Sequence, residues 1–192
     1  NVESRGLGDV YKRQDMNTSS IGSINFSSLR GVAYNGEFFA LGETDNKNIY
    51  IWKGIPGLND EPDYIIQNPV GVGRIDMNDE WLVVSAYPGA GSPVHVINLT
   101  NLDSGIMLPV PGNDDFPQGV SINEKGFFIA LQGSNKVVGW SSVQDALNGS
   151  SPTMSFGGTT NKTNSGTKMA STVHWDGFHL WVGEFKFSNR LL

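Results

Sequence analysis

The chain has 192 residues, 13 Lys and Arg against 19 Asp and Glu, a formal net charge of −6 and no cysteine. Charged residues are only 17% of the total and form no basic run, which argues against nucleic acid, because phosphate contacts need clustered cations. The lack of cysteine excludes disulfides, thiolate zinc sites and cysteine nucleophiles, and no apolar stretch approaches the roughly 18 residues of a membrane span. With 24 glycines and nine prolines, the composition favours many short strands over long helices. The polar surface rests on uncharged Asn, Ser, Thr and Gly, which points to an exported protein, extracellular or periplasmic.

In chain order, the first feature is Ser4 to Gln14, "SRGLGDVYKRQ". It resembles the in-frame translation of a transposase-type sequencing-library adapter. Residues 1–14 are therefore expected to be a non-native leader, with the native sequence in 15–192. Four similar segments follow: Gly31 to Glu43, Arg74 to Ala86, Gly119 to Gln132 and Thr172 to Glu184. Each joins two apolar runs through a turn rich in Asn, Asp, Glu or Gly, a hairpin signal. The third is expected to be one residue longer at its turn. With Phe39, Leu82, Phe128 and Trp181 as equivalent anchors, the repeat spacings are 43, 46 and 53 residues.

A third run follows each hairpin and ends at Trp52, Asn98, Trp140 or the C-terminus, and a fourth begins near Tyr64, Gly105 and Thr153. Strands are thus expected near 31–35, 37–42, 48–52 and 63–67, with the pattern restarting near 74, 119 and 172; Val143 to Leu147 could form one short helix. Four short strands in about 40–50 residues mark a propeller blade. Such a blade has two apolar faces and must stack on neighbours to cover both.

"NKNIYIW" (Asn46 to Trp52), "SNKVVGW" (Ser134 to Trp140) and "SNRLL" (Ser188 to Leu192) are similar to the repeat of bacterial six-bladed propellers of the NHL type. The second unit, "SPVHVIN", lacks the Asn-basic pair and the tryptophan. The resemblance implies an all-β fold: a β-propeller fragment of about three and a half four-stranded blades in an incomplete ring. On this reading both ends of the chain are the limits of a metagenomic sequencing read, and faces carrying Phe39 and Trp181 are left open to water.

The candidate channel and loop residues are Glu43, Arg74, Asp114, Asp115, His174 and Glu184. Glu43 and Glu184 occupy equivalent positions after the second strand, and two carboxylates near a channel can hold calcium or act as acid and base. A repeat also places equivalent turn residues there without any function. Asp114 and Asp115 are oxygen donors on a loop leading to an innermost strand. Asp76, Asn78, Asp79 and Glu80 read as a solvated acidic turn. His174 falls in an innermost strand, His179 beside an exposed turn, and His95 shows no zinc signature. No G-x-S-x-G elbow is present.

These residues favour a non-enzymatic binding or scaffold propeller for an unspecified protein, glycan or small-molecule ligand. No cofactor is expected, and calcium is the one cation the carboxylates could take. The alternative is a metal-dependent propeller enzyme, a lactonase-like hydrolase or an amidating-lyase-like protein. It requires Glu43, Glu184, His174 and the Asp114–Asp115 pair to converge on one point.

Overall fold

The computed structural model describes residues 20–87, 93–110, 116–157 and 170–184. The adapter-like leader 1–14 and the motif Ser188 to Leu192 lie outside them. A two-residue hairpin, β1 (Ser20–Ile21) and β2 (Ile24–Asn25), comes first. The first four-stranded sheet is β3 (Leu29–Tyr34), β4 (Phe38–Glu43), β5 (Asn48–Lys53) and β6 (Tyr64–Gln67). The second is β7 (Val72–Met77), β8 (Trp81–Ala86), β9 (Val94–Asn98) and β10 (Asn101–Leu108). The third is β11 (Pro117–Asn123), β12 (Gly126–Leu131), β13 (Lys136–Trp140) and β14 (Met154–Gly157). β15 (Ala170–Trp175) and β16 (Leu180–Glu184) form a fourth, two-stranded unit, and a short helix, α1 (Val143–Leu147), follows β13. Each sheet is an antiparallel meander in sequence order. The innermost strands β3, β7, β11 and β15 pack side by side in that order, so the sheets are blades set radially. Among the described residues they do not close a ring.

The turn chemistry explains why each hairpin forms where it does. The Asn35 side-chain oxygen accepts from the amides of Glu37 and Phe38, and Asn78 does the same for Glu80 and Trp81. Asn123 accepts from Lys125 N–H, and Asp176 from the amides of Phe178 and His179. A short side-chain acceptor at the first turn position thus satisfies amides that the ladder leaves unpaired. Gly36 and Gly177 follow with φ of +100° and +95°, a region that disfavours side chains. The third strands end alike: Trp52 Nε1 donates to Asp60 O and Trp140 Nε1 to Ser150 O, which folds the following linker back onto each blade.

The register corrects the repeat alignment. Tyr34 pairs with Phe39, Met77 with Leu82, Ile122 with Phe127 and Trp175 with Leu180. All four turns therefore have one length, and the equivalents of Phe39 and Leu82 are Phe127 and Leu180, not Phe128 and Trp181. A slip of one residue exchanges the faces of a strand. Phe127 is fully buried with Val83, Val94 and Val96 of the second blade. Phe128 points the other way and packs with Val173 and Val182 of the fourth.

Three apolar clusters lie between consecutive blades. Ala40, Ile49 and Ile51 meet Ile75, Leu82 and Val84 between the first and second; the Phe127 cluster fills the next gap, and the Phe128 cluster the one after. A fourth cluster covers the outward face of the first blade, where Ile21, Ile24 and Phe26 of the β1–β2 segment pack on Leu41, Tyr50 and Trp52. Phe39 joins that cluster and is half-buried, so this face is not open in the way the repeat alone implied. Trp181 and Phe178 are exposed, at 41% and 82%.

Blades approach closely at their inner strands. A Cβ on Gly119 would come within 2.9 Å of Ser171 O and Thr172 Cα, backbone atoms of the next blade. Gly119→Ala is therefore expected to push these strands apart and destabilise the fold by about 1–3 kcal/mol, as overpacking does. Chemical denaturation checks this; an unchanged midpoint would contradict the close contact between the third and fourth blades.

Candidate functional site

The inner strands carry their side chains in rows. Counting from the turn residue, Ala33, Asp76, Ser121 and His174 share one level, and Gly31, Arg74, Gly119 and Thr172 another. On the concave side these levels line a trough of about 270 Å³ that includes Arg74, Asp76, Thr172 and His174, with the exposed Val32 as its apolar wall.

Asp76 is the most constrained of these groups. One carboxylate oxygen accepts from Ile122 N–H of the third blade at 2.9 Å, and the other from Met77 N–H at 3.0 Å. Burial pushes its carboxyl above the ordinary value, an effect only partly offset by those donors and by the field of His174. Ser121 Oγ in turn accepts from Trp175 N–H of the fourth blade at 3.0 Å. The same row thus links the second blade to the third and the third to the fourth.

Arg74 and His174 are exposed on the trough wall. Arg74 donates one guanidinium N–H to Arg30 O, at 3.2 Å. The Arg30 guanidinium itself lies 3.6 Å above the centre of the Tyr87 ring, a cation–π contact.

Of the sequence candidates, the structure brings Arg74 and His174 together on this wall. Glu43 is elsewhere and fully buried. Its Oε1 accepts from Ser27 N–H and Ser27 Oγ, both at 2.8 Å, and its Oε2 from Tyr50 OH at 2.9 Å. Burial raises its pKa, but the donors from Ser27, Asn46 and Tyr50 outweigh this and hold it below the ordinary value. Glu43 therefore ties the segment after β2 to the first blade. Glu184 pairs with Ala170 as Glu43 pairs with Leu29, which confirms their equivalence, and it too is absent from the trough lining. Asp114 and Asp115 lie outside the described residues. Among the described residues, no three of His, Asp and Glu gather as a metal site would require.

Sequence reasoning missed Asp76 because it was grouped with Asn78, Asp79 and Glu80 as a solvated turn. The available signal was its level, two residues before the turn asparagine, the same as His174 before Asp176. His95 is buried in β9, with Nδ1 2.6 Å from the side-chain oxygen of Asn68, and burial depresses its pKa. His179 is exposed at its turn, as the sequence placed it.

The buried Glu43 and the half-buried Asp76 have opposite pH signatures. Glu43 binds its proton less tightly folded than unfolded, so its stabilisation is present above the unfolded value of about 4.3 and is lost as pH falls through its folded value. Asp76 binds its proton more tightly folded, so stability declines as pH rises from the unfolded value of about 3.9 through its folded one. Glu43→Gln is expected to cost about 1.5–3 kcal/mol at pH 7, the scale of hydrogen bonds to a charged group. Asp76→Asn should remove a component of stability that falls with rising pH. Denaturation of both variants between pH 3 and 7 checks the signs; equal pH profiles in the two variants would contradict the assignment.

No protein-family model matches the sequence, and no curated protein matches it. Solved structures do resemble the fold. A chain of a nidogen/laminin complex aligns at TM-score 0.63 and 12% identity over 84% of this chain and 58% of that one. The computationally designed Ika4 protein aligns at 0.59 and 11% over 91% and 96%. The β-propeller domain of Cps50 (Swd1) from Myceliophteria thermophila aligns at 0.58 and 11% over 82% and 49%. The chain thus spans little more than half of the nidogen/laminin chain and about half of the Cps50 domain. At this identity the likeness shows the fold alone: radial antiparallel blades of the β-propeller type.

Proposed function

We propose that this chain is part of a non-enzymatic binding or scaffold propeller of the NHL-repeat type, and that its ligand sits in the trough between the innermost strands. The observation that carries this reading is the state of the groups there. A general base needs free reach to a substrate proton, whereas Asp76 is held by the amides of Ile122 and Met77. Arg74 and His174 stand exposed on rigid strands, which suits recognition. The resemblance to a chain from a nidogen/laminin complex supports a binding use of this architecture. The uncharged polar composition supports an exported protein, extracellular or periplasmic. The ligand class at this level is a protein, glycan or small molecule.

The test is a ligand screen read by thermal shift. A true ligand at a hundred times its Kd should add about 2.7 kcal/mol of stability. His174→Ala should reduce the shift, and mass spectrometry should recover the ligand unchanged. Chemical conversion of the ligand would overturn the non-enzymatic reading.

A further inference from the structure

The trough carries a more specific chemistry than binding alone. Its charged and titratable lining consists of Arg74, Asp76 and His174. Asp76 is turned to the backbone: its two oxygens accept from Ile122 N–H and Met77 N–H, so its charge is partly met by those amides. Arg30, the nearest other cation along the first inner strand, is stacked on Tyr87. Arg74 differs. It spends one of its five donors on Arg30 O, and no carboxylate among the described residues forms a salt bridge with it. Its planar fork is the group best matched to a carboxylate. On the same wall, from the fourth blade, the exposed His174 ring offers a second nitrogen donor.

We infer that the trough binds the carboxylate of a small organic acid, gripped by the Arg74 guanidinium with His174 as second donor, while the exposed Val32 faces the ligand's apolar part. The cavity of about 270 Å³ sits at the lower edge of the about 300–1,000 Å³ range of small-molecule clefts, so the acid is small. This rests on the binding reading above and narrows its ligand.

The probes are succinate and glucuronate, with glucuronamide as the neutral counterpart of the second. Binding to the full chain is followed by calorimetry and by the NMR signals of the Arg74 side chain, His174 and Gly119. At least one acid is expected to bind and shift these signals, with glucuronamide at least tenfold weaker than glucuronate where glucuronate binds. Arg74→Gln should weaken the bound acid at least tenfold, and His174→Gln less. Lys53→Gln, a cation on the first blade beside Tyr64, should leave affinity unchanged. Backbone spectra of each variant confirm that it is folded. Equal affinity for glucuronate and glucuronamide, an Arg74→Gln variant that binds as the wild type does, or no acid shifting the trough signals would overturn the inference. Equal affinity with the trough signals moving would leave the binding reading standing, whereas conversion of a probe would sink that reading itself.

Discussion

A four-stranded sheet that is apolar on both faces cannot be stable in water by itself, and this constraint organises the whole chain. β8 shows it most plainly. After the half-buried Trp81, every residue from Leu82 to Ala86 is buried, with Leu82 and Val84 facing the first blade and Val83 the third. A strand covered on one side would alternate apolar and polar residues. Burial of each large aliphatic side chain contributes about 1.5–3 kcal/mol, so the interblade clusters dominate the favourable side of folding. Helix α1, N-capped by Ser142, is recruited to the same purpose: its Val143 and Ala146 join the cluster between the second and third blades.

Apolar burial is non-directional: it fixes which face of a strand is covered but does not set the height of one blade against the next. Polar contacts between blades do. Asn35 Nδ2 donates to Asn78 O, and Asn123 Nδ2 to Trp175 O, so the residue that closes a turn also reaches the turn or strand end of the next blade. Ser85 Oγ donates to Gln118 O. The Asp76–Ile122 and Ser121–Trp175 bonds complete the set at the trough. Ala33, at the same level in the first blade, has no side-chain acceptor to offer, and Met77 N–H turns instead to Asp76 beside it. The site is therefore a by-product of register: the rows that lock the blades together also bring Arg74 and His174 to one wall.

Much of the fold was legible in the sequence because strand ends are written in local chemistry. Asn35-Gly36 and Asp176-Gly177 announce turns, and the paired tryptophans Trp52 and Trp140 mark the third strands. The anchor slip had a physical origin too. Phe127-Phe128 and Leu180-Trp181 are adjacent large apolar pairs, and composition alone does not say which member faces which blade. Backbone pairing decides it. The candidate site was legible in part: Arg74 and His174 carry charge or titratable nitrogen on inner strands. Asp76 and Glu43 were harder, because their roles depend on partners 46 and 16 residues away, Ile122 and Ser27.

The mutual dependence of the blades is tested most directly by native-state hydrogen exchange on Phe127→Ala. Phe127 belongs to β12, and its ring fills the gap against Val83, Val94 and Val96. The substitution should cost about 3–5 kcal/mol. If each blade is held by its neighbour, protection falls in β8 and β9 of the second blade as well as in β12 and β13. Loss confined to the third blade, with β8 and β9 as protected as in the wild type, would contradict the account.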